Sequence, residues 1–216
     1  ASSEEIWHGG FHENAGDQAF TVYPRVSGEL GCRMNESQPP PKSIVLIGFM
    51  GSGKSTVGRE LQHRLGYPLV DMDQVIEQRA RKSIAAIFAD EGEEAFRDME
   101  TTLLEELNDP AAPRRIISTG GGVIGRERNR ALLRHLGYVV WLHAPLAVIL
   151  DRTGRNRDRP LLHTDDPVAR VEALMAVRKP LYAEAAHLHV DTSGLDCGEL
   201  ATGILESARY FFTGHL

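Results

Sequence analysis

The eight residues Gly48-Phe49-Met50-Gly51-Ser52-Gly53-Lys54-Ser55 restrict this chain more than any other stretch of it. They match G-x-x-x-x-G-K-[ST], follow the apolar run Ser43–Ile47 and open a helical pattern over Lys54–Leu65. Strand, glycine-rich turn and helix in that order form the context in which this pattern cradles phosphates. The amides of Gly51, Ser52, Gly53, Lys54, Ser55 and Thr56 would point inward at the positive end of the helix. Lys54 would bridge the β- and γ-phosphate oxygens of a nucleoside triphosphate, and the Ser55 hydroxyl would ligate Mg²⁺. A glycine-rich turn that binds nothing is the competing reading, and the flanking strand and helix argue against it.

The rest of the pattern from Lys42 onward alternates strand and helix. Strands are expected at Pro68–Val70, Arg115–Ser118, Tyr138–His143 and Leu188–Val190. Helices are expected over Gln74–Leu107 with breaks near Ser83 and Gly92, then at Glu127–Leu136 and Pro145–Arg152. Two more are expected: Pro167–Ala186, kinked or broken at Pro180, and Glu199–Phe212. Gly66 and Gly137 are placed to end helices as C′ residues. Alternation of this kind predicts a three-layer α/β/α P-loop fold, with a parallel sheet of about five strands.

Residues 1–41 read differently. They hold Gly9-Gly10, a Pro39-Pro40-Pro41 run, six acids and two bases, with no helical or strand period. The segment lacks the apolar stretch of a secretory signal and the basic character of a transit peptide. A flexible leader is expected, with a small β-ribbon around Ala19–Tyr23 as the competing reading. Met34 offers an alternative start, in which case the residues before it would not belong to the native chain. Residues 42–216 form the expected kinase domain.

Composition excludes several classes. A net charge of −6 argues against a general nucleic-acid binder, which needs clustered excess Lys and Arg. No apolar run approaches the roughly 20 residues of a membrane-spanning helix. Cys32 and Cys197 show no metal-binding or disulfide spacing. A monomeric cytoplasmic enzyme acting on small molecules is expected.

The position of the acids narrows the type of P-loop protein. There is no N-K-x-D run to select guanine, and the strand ending at Ser118 carries no carboxylate. Asp71 and Asp73 stand at the end of the second strand of the domain, where residues two apart share a face. Both are expected in the crevice above the sheet's carboxyl edge. One would hold Mg²⁺ and the other accept a hydroxyl proton, an arrangement suited to phosphoryl transfer to an alcohol. Capping of the following helix is the alternative for this pair.

At this point the chain resembles the shikimate kinases. The carrying motifs are the loop Gly48–Thr56, Asp71-x-Asp73, Gly92-Glu93-Glu94-Ala95-Phe96-Arg97 and Thr119-Gly120-Gly121-Gly122. Arg159-Pro160-Leu161-Leu162 and Arg178-x-Pro180-Leu181-Tyr182 follow in the family's order. The resemblance runs from about Lys42 to the C-terminus and implies ATP- and Mg²⁺-dependent phosphorylation of the 3-hydroxyl of shikimate. It implies that Arg97 and Arg178 clamp the substrate carboxylate with planar donor forks. Asp73 would be the general base or orienting group, Asp71 would join Ser55 at the metal, and Gly120, Gly121 and Gly122 would bring backbone close to the ring. A lid over about residues 152–165 is implied, with Arg159 on the transferring phosphates and Arg152 packed on adenine.

Each feature has a plainer reading. Arg97 and Arg178 alone read equally as surface ion-pair residues, the glycine triplet as a turn and the arginine cluster as a solvated loop. Phe88 and Phe96 suit either the substrate pocket or the core. Asp191-Thr192-Ser193 borders the adenine position, His187 and His189 are poor candidates for metal ligands, and Trp141 and Phe211-Phe212 read as packing residues. Functional alternatives are a kinase of another hydroxy acid such as gluconate, or a nucleotide-binding relative without turnover.

Overall fold

The computed structural model describes residues 20–22, 43–154 and 166–212. Strand β1 (Phe20–Val22) is followed by β2 (Ser43–Ile47), α1 (Lys54–Leu65), β3 (Leu69–Asp71) and α2 (Met72–Ala80). Next come α3 (Ile84–Asp90), α4 (Gly92–Leu107), β4 (Ile116–Ser118), a 3₁₀ turn at Val123–Gly125 and α5 (Glu127–Leu136). The chain continues through β5 (Gly137–His143), α6 (Leu146–Gly154), α7 (Pro167–Ala185), β6 (Leu188–Asp191) and α8 (Cys197–Phe212).

The sheet order is β1-β6-β5-β2-β4-β3, with β2 through β6 parallel. Five parallel strands match the expectation. The sixth comes from the stretch before Lys42: Phe20–Val22 pairs antiparallel with β6, Phe20 opposite Val190 and Val22 opposite Leu188. This is the β-ribbon alternative, and it covers the otherwise open edge of β6 with three residues of high strand preference. The other residues of 1–41 lie outside the described residues, as do Arg155, Arg157, Arg159 and the R-P-L-L motif.

Strand β2 shows why the chain folds this way. Its five residues are all buried, as a central parallel strand requires. Val45 and Ile47 join one core with Phe96, Leu104, Leu133 and Tyr182 from α4, α5 and α7. Ile44 and Leu46 join the other, with Val57, Leu61, Ile204 and Phe211 from α1 and α8. The two-residue period divides one apolar run between two helical layers. No described helix is long and apolar enough to cross a membrane.

Local signals set most boundaries. The Ser83 hydroxyl accepts from the Ala86 amide at 3.2 Å and starts α3. Helix α8 begins two residues earlier than expected, because Asp196 and Glu199 form a reciprocal capping box, each carboxylate accepting the other's amide at 2.8 Å. Helix α7 runs unbroken through Pro180. Proline forfeits one backbone bond there, and burial of Val171, Arg178, Tyr182 and Ala185 keeps the helix intact around it.

Gly66 closes α1 in the left-handed conformation, as expected. Gly137 does not act as a left-handed C′ residue. Its backbone is extended, it is the first residue of β5, and a Cβ there would collide with the Ser43 carbonyl. Close approach of two parallel strands, rather than chain reversal, is what excludes a side chain.

Candidate active site

The crevice lies above the carboxyl ends of β2, β3 and β4, the position at which open α/β sheets bind ligands. Its volume is about 470 Å³, and its wall includes Lys54, Ser55, Thr56, Asp71, Asp73 and Gly121.

The Walker loop leaves β2 and enters α1 through Gly51 (φ 78°) and Gly53 (φ 94°), conformations that favour glycine. The loop is held by its own lysine: Lys54 Nζ donates to the carbonyls of Gly48 at 2.8 Å and Phe49 at 2.9 Å. Ser52 is buried and joins the same wall. Arg152, at the end of α6, donates from Nη1 to the Gly51 carbonyl at 2.9 Å. Helix α6 thus touches the phosphate loop directly.

Asp71 and Asp73 both reach the crevice, by a route different from the expected strand alternation. Asp71 ends β3 and caps α2, its Oδ1 accepting from the Gln74 amide at 3.4 Å. Met72, fully buried, already belongs to the helix, and Asp73 stands in its first turn. The capping alternative therefore holds for Asp71, which has a second role as well. Its Oδ2 accepts from the Ser55 hydroxyl at 3.0 Å, which places two hard oxygen donors side by side. That donor set fits Mg²⁺, a cation that takes few protein ligands and fills its sphere with water and phosphate oxygens.

The glycine triplet is a ledge on which the charged residues converge. A Cβ on Gly120 would sit 2.5 Å from Glu100 Oε1 and 2.8 Å from Asp73 Oδ1. A Cβ on Gly122 would enter the Arg97 guanidinium, and one on Gly121 would lie 3.1 Å from the Met50 amide nitrogen. The family resemblance implies backbone close to a substrate ring here. The structure adds that the glycines admit Asp73, Glu100 and Arg97 to the same place.

Arg97 is no surface ion-pair residue. Only 9% exposed, it donates from Nη1 to Glu100 Oε2 at 2.6 Å, and from Nη2 and Nε to Glu93 Oε1 at 2.7 and 3.2 Å. Burial disfavours its charge, but Glu100 and Glu93 outweigh that and hold it above its usual range. Phe88 and Phe96 lie with the guanidinium 6.0 and 5.4 Å from their ring centroids, so both pack against the core and also frame Arg97. Arg178 is equally buried, donates to the Gly121 carbonyl at 3.2 Å and stands 5.6 Å from the Phe49 ring centroid. Desolvation lowers its pKa, and the nearby positive charge of Arg97 pulls the same way.

Glu100 belongs to none of the sequence motifs. It is completely buried, and burial, with the nearby Asp73 charge adding to it, pushes its carboxyl up to about 7 against the pull of Arg97. Its signal was present: position 100 lies on the buried stripe of α4 with Phe96, Leu103, Leu104 and Leu107. An acid on such a stripe needs a partner, and Arg97 three residues earlier supplies it.

The remaining expectations resolve simply. Thr192 lines the crevice, together with Leu195 and Cys197, which no sequence motif marks. Asp191 faces His143 at 3.6 Å instead. His187 precedes β6, and its Nδ1 accepts from the Val139 amide at 2.9 Å. His189 stacks on Trp141 at 4.2 Å. Among the described residues no His, Cys, Asp and Glu group could hold a metal by itself.

Comparison with known proteins agrees with this geometry. The sequence profile described as "Shikimate kinase" matches residues 50–209. A shikimate kinase of Thioalkalivibrio sulfidiphilus is 47% identical over 169 residues, 78% of this chain and 86% of that protein. The solved structure titled "Shikimate kinase from Acinetobacter baumannii in complex with shikimate" is 40% identical with a TM-score of 0.73. It is covered over 93% of its length and covers 78% of this chain. The enzyme from Aquifex aeolicus is 33% identical, with a TM-score of 0.67, and the match covers 78% of this chain and 96% of that one. By profile, by identity over most of its length and by fold, the chain belongs to the shikimate kinase family.

Proposed function

We propose that this protein transfers the γ-phosphoryl group of ATP to the 3-hydroxyl of shikimate. The observation that carries the reading is the ledge Gly120–Gly122, beside which Asp73 and Arg97 pack, with Gly121 against the Walker loop. A carboxylate-bearing alcohol set on that ledge would meet a cation at one end and a general base at the other, next to a triphosphate site.

Shikimate's carboxylate is assigned to Arg97 and Arg178, whose buried guanidinium groups bind a planar anion far better than exposed ones. Asp73 orients the 3-hydroxyl and takes its proton. The oxygen forms a bond to the γ-phosphorus as the bond from that phosphorus to the bridging oxygen breaks, leaving ADP. Lys54 exchanges its two loop carbonyls for β- and γ-phosphate oxygens. Ser55 and Asp71 would hold Mg²⁺, which supplies charge neutralisation of the phosphates. Arg152 is assigned to the nucleotide, and Arg159, by resemblance to the family, to the transferring phosphates.

The test couples ADP release to acceptor, with shikimate and gluconate compared. Turnover with shikimate is expected, lost in Lys54→Met and reduced at least ~10²-fold in Asp73→Asn, the usual size of a general-base contribution. Turnover with gluconate but not shikimate would overturn the substrate assignment.

A further inference from the structure

One buried phenol close to this site has no part in the reaction as described. Tyr182 is 2% exposed, and its hydroxyl donates to the Gly121 carbonyl at 2.5 Å. The same carbonyl accepts from Arg178 Nη1 at 3.2 Å. Arg178 and Tyr182 are four residues apart on α7 and therefore share one face of the helix. A carbonyl oxygen has two lone pairs, so these two donors complete its capacity.

The ring of Tyr182 has little freedom. It stacks on Trp141 of β5, centroids 5.7 Å apart and planes 19° from parallel. Gly121 is fixed from the other side, since a Cβ there would already crowd the Met50 amide nitrogen. Two α7 side chains thus hold this carbonyl, the sheet backs the ring of one of them, and the Walker-loop backbone lies beside the Gly121 Cα. Desolvation raises the phenol's pKa against the pull of the adjacent Arg178 guanidinium, which keeps the hydroxyl a neutral donor across the working pH range.

We propose that Tyr182 is a positioning residue for substrate recognition: its hydroxyl fixes the Gly121 carbonyl, and that carbonyl sets the direction in which the Arg178 guanidinium meets the substrate carboxylate. The inference rests on the assignment of Arg178 to that carboxylate. Without the phenol oxygen, Gly121 keeps only the Arg178 bond and Arg178 loses its own direct contact with that oxygen, so the guanidinium follows the carbonyl as it relaxes. A fork recognising a planar anion tolerates little misalignment.

The test is Tyr182→Phe, which retains the ring and its stacking and removes one oxygen. The expected result is a ~10-fold rise in KM for shikimate, the size of one buried hydrogen bond. Turnover at saturation and KM for ATP should stay within ~2-fold. In an Arg178→Ala background the same change should have almost no further effect on KM, because the two residues act on one contact. Fully additive effects would overturn the proposal, as would equal losses of shikimate and ATP binding, the mark of a general packing defect. An unchanged KM in Tyr182→Phe, with a large rise in Arg178→Ala, would sink the role of Tyr182 and leave the site assignment standing. An unchanged KM in Arg178→Ala would remove both.

Discussion

Glu100 Oε2 accepts from Arg97 Nη1 at 2.6 Å while the glutamate has no exposed surface at all. A buried acid thus fixes the direction of a guanidinium assigned to the substrate's carboxylate. The arrangement carries a cost, because a carboxylate taken out of water loses its hydration and regains it only in part from one partner.

That cost has a sign in pH. The carboxyl of Glu100 rises from an ordinary 4.5 to about 7 in the fold. The folded state therefore holds a proton that the unfolded chain releases at lower pH. Its stabilising effect is complete below pH 4.5 and is lost as pH rises through about 7, with a slope of at most about 1.4 kcal/mol per pH unit. Glu100→Gln stays neutral and keeps an acceptor for Arg97. Urea midpoints at pH 5, 6, 7 and 8 should fall less steeply for the variant than for the parent across this window. Parallel curves would show that Glu100 does not titrate there.

Gly122→Ala tests the ledge. Its Cβ would enter the Arg97 guanidinium, which is anchored to Glu93 and Glu100 and has little room to withdraw. Shikimate affinity should fall ~10- to 100-fold, the range of a lost charge-assisted contact, while ATP affinity is nearly preserved. Calorimetric titration with each ligand separately distinguishes the two.

Asp71→Asn separates two functions of one side chain. Asparagine caps helices as well as aspartate does, so α2 should keep its start and the melting temperature should change by no more than a few degrees. The amide oxygen carries no net charge and holds Mg²⁺ more weakly than a carboxylate does. Activity should therefore fall at low Mg²⁺ and recover in part as Mg²⁺ is raised. A variant that melts early with an unaltered Mg²⁺ dependence would assign Asp71 to capping alone.

Gly137→Ala and Gly66→Ala should differ in cause and size. At Gly66 no atom lies within reach of a Cβ, and the cost is that of a left-handed alanine, about 1 kcal/mol. At Gly137 the backbone is permissive, but the Cβ would strike the Ser43 carbonyl and push β5 from β2. A loss of about 1–3 kcal/mol or more is expected there. Denaturant unfolding of both variants gives the comparison.

The features readable from the chain are those written over a few adjacent residues. The Walker loop, the helix break at Ser83, the C′ glycine at Gly66 and the apolar run of β2 depend on local sterics, hydrogen bonds and burial pattern, and each is where the sequence places it. Of the residues drawn from motifs, Lys54, Ser55, Asp71, Asp73, Gly121 and Arg152 line one crevice, Arg97 and Arg178 pack beside the glycine triplet, and Arg159 lies outside the described residues. Some exceptions are local, such as the caps at Asp196 and Asp71 that start α8 early and place Asp73 on a helix; the others come from contacts between residues far apart in sequence. Gly137 is extended because Ser43 comes close across the sheet, and Phe20–Val22 is a strand because β6 offers an edge. Tyr182 and Arg178 meet on Gly121, 61 and 57 residues earlier in the chain. Asp73 reaches the crevice from a helix, next to a buried Glu100 that only the packed α4 makes necessary. Local chemistry was enough to specify a triphosphate cradle, a parallel sheet and a set of charged residues. Which of those charges are buried, and which backbone groups orient them, follows from burial in the packed core, a property no short stretch of sequence has alone.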